Sequence, residues 1–410
     1  MRAISLVVGS DPLTGIGGHA RYVRTQARAL QGIGFEPHIF CVSRRSNIVE
    51  TDIGVVHHVW SPFRPFTHYM LPFNGPILVG AVQKFLKGRS GPHLIHCFQG
   101  WSWVGVRVSS HFRRRGIAVT SLVTGFDTRL NSARAKFLNV DRAHGLWVKL
   151  KRAVEYYWTA LVVSRYETDG YLRSDRAYVN YETTRRLMLR SFGDNLRVRV
   201  LPYASETAFT EEMGERRSIT TASGAAPTIV SVSRHETRKG LPVLLRALKQ
   251  LADDGIQFQA VLVGGGPLLE QHRLLARELG IAHRVAIPGF VPSSYEYLRC
   301  ADVFVLPSLA EGSGSLSLLE ALQAEVPIVA SRVDGIPEDV TDGENALLVE
   351  PGDTTALANA LRRLLLDVDM RRRLASEGRA TFVGKFSAKV FMNALRCEYA
   401  SFGFGTGVDD

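Results

Sequence analysis

Four short stretches between residues 229 and 340 bring together side chains suited to holding a diphosphate while a bond to it breaks. In the first, RHETRKG (Arg234–Gly240) follows a β-type run ending at Val232. Arg234 and Lys239 are then expected in the loop and the first turn of the next helix, and two fixed cations there neutralise a pyrophosphate without a metal. In the second, QAVLVGGGPLL runs into Gly264–Gly266, a turn that glycine makes at least steric cost. The full G-x-G-x-x-G fingerprint is missing, so a nicotinamide-dinucleotide reading has little support. In the third, VAIPGFVP places Gly289 and Val291 at a further strand exit. In the fourth, PSLAEGSGSLSLLEALQAEVPIVASRVDGIPE sets Glu311 before a Gly/Ser loop and Glu320 one turn into a helix. A helix opening on Gly312–Ser315 offers free N–H groups and the positive end of its dipole to a phosphate.

Such loops need rigid strands behind them. Short apolar runs alternate with helical patterns along the whole chain, as in doubly wound parallel sheets. The first half predicts strands at Ile4–Gly9, His38–Val42, Leu94–Cys97, Val119–Val123, Ala160–Ser164 and Val198–Leu201. The second predicts them at Thr228–Val232, Gln259–Val263, Val285–Ile287, Val303–Leu306, Ile328–Ala330 and Ala346–Val349. Ala20, Val23, Ala27 and Leu30 share one helical face, as do Leu241, Leu244, Leu248 and Leu251. Residues 211–227 are polar and small, the best linker in the chain. The expected fold is therefore α/β, with two Rossmann-like domains over 1–206 and 207–387 and a ligand cleft where the carboxyl ends of both sheets face each other.

Composition narrows the function. The 410 residues are 45% hydrophobic and 22% charged, ordinary for a globular chain. Cys41, Cys97, Cys300 and Cys397 are widely spaced, which argues against a disulfide scaffold or zinc ribbon and for a reducing cytosol. No apolar run reaches membrane-span length and the start is too short for a signal peptide, so a cytoplasmic protein is expected. The net charge of +11 is unevenly divided. Residues 1–206 hold 29 Lys+Arg against 13 Asp+Glu, whereas the remainder hold 21 against 26. No zinc-finger spacing, RNP-type aromatic pair or basic tail accompanies this excess, so nucleic acid is not the expected partner. Residues 128–158 interleave Arg129, Arg134, Lys136, Arg142, Lys149, Lys151 and Arg152 with Leu130, Phe137, Leu146, Trp147 and Trp158. That mixture suits an anionic membrane surface, on the inner face of the cell membrane, and equally a packed helix with core aromatics.

The motifs Ser231–Gly240, Gly264–Pro267, Pro288–Val291 and Pro307–Glu338 resemble those of the glycosyltransferase group 1 family, family four of the retaining transferases, which has the GT-B fold. The resemblance covers essentially the whole chain. It implies that Arg234 and Lys239 bind the donor diphosphate and that the Val291 backbone meets the nucleotide base. It further implies that Glu311 orients the donor sugar, that Glu320 holds the ribose, and that Ser315 and Leu316 present loop amides to the phosphate. Gly17 and Gly18 match the glycine loop that approaches the diphosphate and acceptor. A last helix, residues 388–402, is expected to pack back onto the first domain.

Two positions depart from the family pattern. Eight residues rather than seven separate Glu311 from Glu320, an insertion assigned to the loop Ser313–Ser317. Thr124 stands where the family has a histidine, with His19, His96 and Asp127 as other acceptor-side candidates. The implied reaction is transfer of a hexosyl group from a UDP- or GDP-linked sugar to a glycan or lipid-linked acceptor with retained configuration. Arg234, Lys239 and Glu311 carry that chemistry, and no metal is expected. Asp367-Val-Asp369 spells a metal motif but reads as a helix-capping turn. Trp101 and Trp103 read as core, and His57 and His58 as surface. A non-catalytic nucleotide-sugar-binding subunit is the alternative function.

Overall fold

The computed structural model describes residues 2–15, 17–63, 67–126, 146–210, 226–312 and 314–405. The chain divides into two units, residues 1–201 with 392–410 and residues 202–391.

The first unit is built on strands β1 (Arg2–Val7), β2 (Phe35–Ser43), β3 (Asn47–Thr51), β4 (Gly54–Trp60), β5 (His93–Phe98), β6 (Val119–Thr124), β7 (Arg176–Val179) and β8 (Val198–Val200). They lie in the order β3-β4-β2-β1-β5-β6-β7-β8, parallel throughout except for the β3–β4 hairpin. Ile4, Leu6 and Val7 are fully buried, as a central parallel strand covered on both faces requires. Helix Gly18–Gly32 buries Ala20, Val23, Ala27 and Leu30. The strand order reverses between β1 and β5, where ligands bind in folds of this kind.

Three strands escape the sequence pattern, and one predicted strand is a helix. Residues 160–164 lie inside a helical run in which a π-turn, Thr159–Val163, joins helix Leu146–Trp158 to helix Ser164–Arg173. The hydroxyls of Thr159 and Ser164 donate to the carbonyls of Glu155 and Ala160, a helical geometry. A five-residue apolar run fits either state, and the flanking helical sequence decides it. The sheet position goes instead to β7, whose Ala177, Tyr178 and Val179 are buried. The edge strand β3 is hidden in sequence by polar Asn47, Glu50 and Thr51, and β4 beside it by the His57–His58 pair.

His57 and His58 correct a second expectation, since both are half-buried on β4 rather than on the surface. The His57 ring stacks on Phe40 at 4.4 Å and its Nε2 lies 2.9 Å from His38 Nδ1. Burial holds His57 down at about 4. Trp101 is core, packed against Gly9 where a Cβ would fall 2.3 Å from the ring.

Helix Ala388–Ala400 carries the chain back into the first unit. There Tyr399 is fully buried against Phe35, and Glu398 accepts from Arg176 at 2.8 Å, Arg199 at 2.7 Å and the Tyr178 hydroxyl at 3.1 Å.

The second unit holds β9 (Thr228–Val232), β10 (Gln259–Val263), β11 (Val285–Gly289), β12 (Val303–Leu306), β13 (Ile328–Ser331) and β14 (Leu347–Val349). Their order is β11-β10-β9-β12-β13-β14, parallel throughout, with the reversal between β9 and β12. Leu241, Leu244, Leu248 and Leu251 of helix Leu241–Asp253 enter one core with Leu357, Leu361 and Leu364 of helix Thr354–Leu366. Asp367 accepts the Met370 N–H at 2.8 Å and caps helix Val368–Thr381, while the Asp369 side chain is exposed. Residues 211–225 of the expected linker lie outside the described residues.

Candidate active site

The loops after β9 and β12 flank the reversal of the second sheet, so residues 72 positions apart in sequence meet at its carboxyl edge. Lys239 closes a 3₁₀ turn, Thr237–Lys239, and is buried; Glu311 follows β12 and is buried too. Lys239 Nζ lies 2.5 Å from Glu311 Oε1, with side chains only 11% and 2% exposed. The Ser308 hydroxyl donates to the same carboxylate oxygen. Burial pulls the Lys239 ammonium below its ordinary value, and Glu311 only partly offsets that. An ammonium held this way gains most from a second anion. Arg234, by contrast, is exposed, its Nε 3.1 Å from Glu236, which also lies 3.3 Å from Arg238.

Backbone contacts fix these two loops together. The Leu309 N–H donates to the Arg238 carbonyl at 2.7 Å, and a Cβ at Gly240 would fall 1.9 Å from the Pro307 carbonyl oxygen. The glycine loop is locked to the cation loop in the same way. Gly264 takes φ +140°, and a Cβ there would fall 1.9 Å from the Ser233 carbonyl oxygen. The His235 N–H donates to the Gly265 carbonyl at 2.9 Å, and the Leu268 N–H to the His235 carbonyl at 3.0 Å. Beneath them the His235 and His272 Nδ1 atoms lie 2.8 Å apart, both rings buried, and burial followed by the His272 neighbour holds His235 near 4. Sequence reading passed over this pair because single histidines 37 positions apart carry no spacing signal.

Helix Leu316–Gln323 opens beside Glu311 in sequence and buries Glu320 completely. The Ser294 hydroxyl donates to Glu320 Oε2 at 3.4 Å. Ser315 is the N-cap and its N–H donates to the Tyr203 hydroxyl at 3.3 Å, which itself donates to Asp339 at 2.7 Å. The Ser315 amide therefore already has a partner, and Leu316 is the first amide of the helix proper. Asp334 was also missed. At φ +49° it accepts the Glu311 and Gly312 N–H groups at 2.6 and 2.9 Å, and its Asp-Gly turn was the available signal. Val291 is half-buried in the loop after β11, next to an exposed Phe290 whose Cβ side faces Gly265.

In the first unit the β1 and β5 exits flank the other reversal. Gly17 caps helix Gly18–Gly32, and a Cβ at Gly17 or Gly18 would meet nothing within 4 Å. That space admits a ligand against the backbone. His19 is half-buried, edge-on to Phe98 at 6.0 Å. His96 has no exposed surface. Its Nδ1 lies 2.6 Å from the Tyr399 hydroxyl and 2.9 Å from Gln26, and its Nε2 lies 2.5 Å from the Thr124 hydroxyl. With both nitrogens engaged, His96 ties β5 to β6 and to the last helix. Thr124 is buried at the end of β6. Asp127 lies outside the described residues.

Among the described residues one group of metal-ligating side chains gathers, Asp11, Cys41 and His58, within 4.8 Å. His58 Nε2 is 3.2 Å from Asp11. Burial, then the Asp11 charge, push the Cys41 thiol upward, away from the thiolate a metal takes.

Two Rossmann-type sheets in one chain, each with glycine or charged loops at its strand-order reversal, define the GT-B class. Residues 17–204 match the Glycosyl transferase 4-like domain and residues 214–381 match Glycosyl transferases group 1. The chain belongs to that glycosyltransferase family. Among curated relatives, it is 34% identical over 169 residues to a lipopolysaccharide core biosynthesis glycosyltransferase, LpsE, of Rhizobium meliloti, covering 41% of this chain and 48% of the relative. It is 32% identical over 210 residues to a GDP-mannose-dependent alpha-(1-6)-phosphatidylinositol monomannoside mannosyltransferase of Mycolicibacterium smegmatis, covering 48% and 53%. The matched region thus spans about half the length of these relatives. Sucrose-phosphate synthase from Thermosynechococcus elongatus shares the fold, with a TM-score of 0.74 at 23% identity over 98% of this chain and 99% of that one.

Proposed function

We propose that the protein transfers a hexosyl group from a nucleotide-sugar, UDP- or GDP-linked, to a hydroxyl of a glycan or lipid-linked acceptor with retained configuration. The carrying observation is the buried Lys239–Glu311 pair at the strand-order reversal of the second unit. Lys239 meets the departing diphosphate and Glu311 the sugar hydroxyls, while Arg234 supplies a second cation from the surface. The Val291 backbone takes the base, Glu320 the ribose, and the amides from Leu316 onward the phosphate. Residues 1–206 take the acceptor and 207–387 the donor, with Gly17 and Gly18 giving the diphosphate backbone-close access. Of the acceptor-side residues, His19 and Thr124 stand near the first unit's strand exits.

In this reaction the bond from the anomeric carbon to the phosphate oxygen breaks and one to the acceptor oxygen forms. The acceptor proton passes to the leaving phosphate oxygen, so the protein need supply no base of its own. Its contribution is positive charge on the leaving group and placement of both substrates. No step requires a metal.

The relatives' named roles in lipopolysaccharide and phosphatidylinositol glycan assembly support surface polysaccharide or glycolipid biosynthesis as the setting. The positive excess of the first half supports work at an anionic membrane surface, and no helix among the described residues is long and apolar enough to cross a membrane. A panel of UDP- and GDP-sugars scored for thermal stabilisation and for sugar transfer or hydrolysis tests the reading. Stabilisation with turnover is expected for one nucleotide series. Binding without any turnover would favour the non-catalytic subunit instead.

A further inference from the structure

Helix Leu146–Trp158 and the π-turn that follows leave one face unusually apolar. Trp147, Leu150, Val154, Tyr157 and Leu161 recur at spacings of three and four residues, and each is between 52 and 82% exposed. These positions form one stripe about 21 Å long at 1.5 Å per residue. The remainder of the helix is anchored inward. The Trp158 indole donates to the Tyr69 carbonyl at 2.9 Å and stacks on Phe73, while Thr159 and Val163 are buried. A stripe of this length, on an element so fixed, is a surface rather than a fraying end.

Charge identifies what covers it. Lys151 and Arg165 are exposed beside the stripe and Lys149 is half-buried next to it, and none of the three has an ion-pair partner among the described residues. Arg152 alone is neutralised, by Glu155 at 3.0 Å. A second copy would set these cations against themselves, whereas anionic headgroups complement them. Trp147 and Tyr157 are also the ring types that settle at a headgroup boundary. We propose that the stripe Trp147–Leu150–Val154–Tyr157–Leu161, with Lys149, Lys151 and Arg165 around it, is the face by which the protein lies on an anionic lipid surface. This rests on the membrane-surface reading above and names the contact.

The test is co-sedimentation of the full chain with phosphatidylcholine vesicles, with and without phosphatidylglycerol. It compares the parent with a Leu150→Ser/Val154→Ser variant and a Lys149→Gln/Lys151→Gln variant. All four positions lie outside the nucleotide-sugar machinery, so donor hydrolysis and melting temperature should stay unchanged. The apolar variant should bind anionic vesicles about tenfold more weakly, and the charge variant should lose its preference for phosphatidylglycerol. If the parent binds and the apolar variant binds equally well, the stripe is the wrong face although the membrane reading survives. If the parent binds neither vesicle, both fall. If the serines turn a sedimenting dimer into a monomer, the occupant is a second copy and the proposal is overturned.

Discussion

Lys239 Nζ and Glu311 Oε1 lie 2.5 Å apart, buried, at the carboxyl ends of β9 and β12. Each is the other's main compensation for leaving water, so neither can be removed without cost. Replacing Lys239 by Met should strand the carboxylate and destabilise the second unit by about 3–5 kcal/mol. Lys239→Met combined with Glu311→Gln should restore most of that stability in denaturant melts yet leave sugar transfer about tenfold to a hundredfold or more below the parent, the worth of one lost charged contact. Recovery of activity along with stability would remove Lys239 from the chemistry.

Glycines 17 and 264 should respond in opposite ways to alanine. At Gly17 a Cβ meets nothing within 4 Å and φ is −91°, so stability should stay within about 0.5 kcal/mol. Transfer should nonetheless fall, because the methyl occupies space proposed for the donor. Gly264→Ala forces a Cβ to 1.9 Å from the Ser233 carbonyl oxygen at φ +140° and should cost more than about 2 kcal/mol. An unchanged rate in Gly17→Ala would exclude that glycine from the ligand site.

Acid should weaken the first unit through His96. Burial holds this imidazole near 3, whereas an unfolded histidine titrates near 6.5. The unfolded chain therefore binds the extra proton first, and stability falls as pH drops from about 6.5 toward 3. Above 6.5 this contribution is flat. His96→Gln, which keeps polar contacts without a titrating ring, should show a shallower loss of melting temperature over that interval. An identical slope would show that His96 is not the group responsible and shift the effect to the other imidazoles that burial depresses in this unit, His38, His57 and His93.

Chelation should leave transfer unaffected, and Asp369→Asn should be silent because that side chain is exposed and has no capping role. Asp367→Ala should cost about 1 kcal/mol through loss of the helix cap, with activity retained. Strict dependence of turnover on added manganese would contradict the proposed mechanism.

Much of this was legible in one dimension. Alternation of apolar runs with 3-4-3 helical faces located eleven of the strands, because a doubly covered parallel strand needs an unbroken apolar core that periodicity reveals. Glycine and charged residues clustered after strands marked Arg234, Lys239, Glu311 and Glu320, since loops there are where such folds present ligand groups. What sequence could not decide were relations set by packing. The run at 160–164 became helix because its neighbours were helical, and the short β7 took its place in the sheet. His96 read as an acceptor-side candidate, yet Gln26, Thr124 and Tyr399, drawn from three separate elements, close on both its nitrogens. The 2.5 Å approach of Lys239 to Glu311 likewise depends on β9 and β12 being neighbours, and adjacency across a sheet follows from topology that no local pattern encodes.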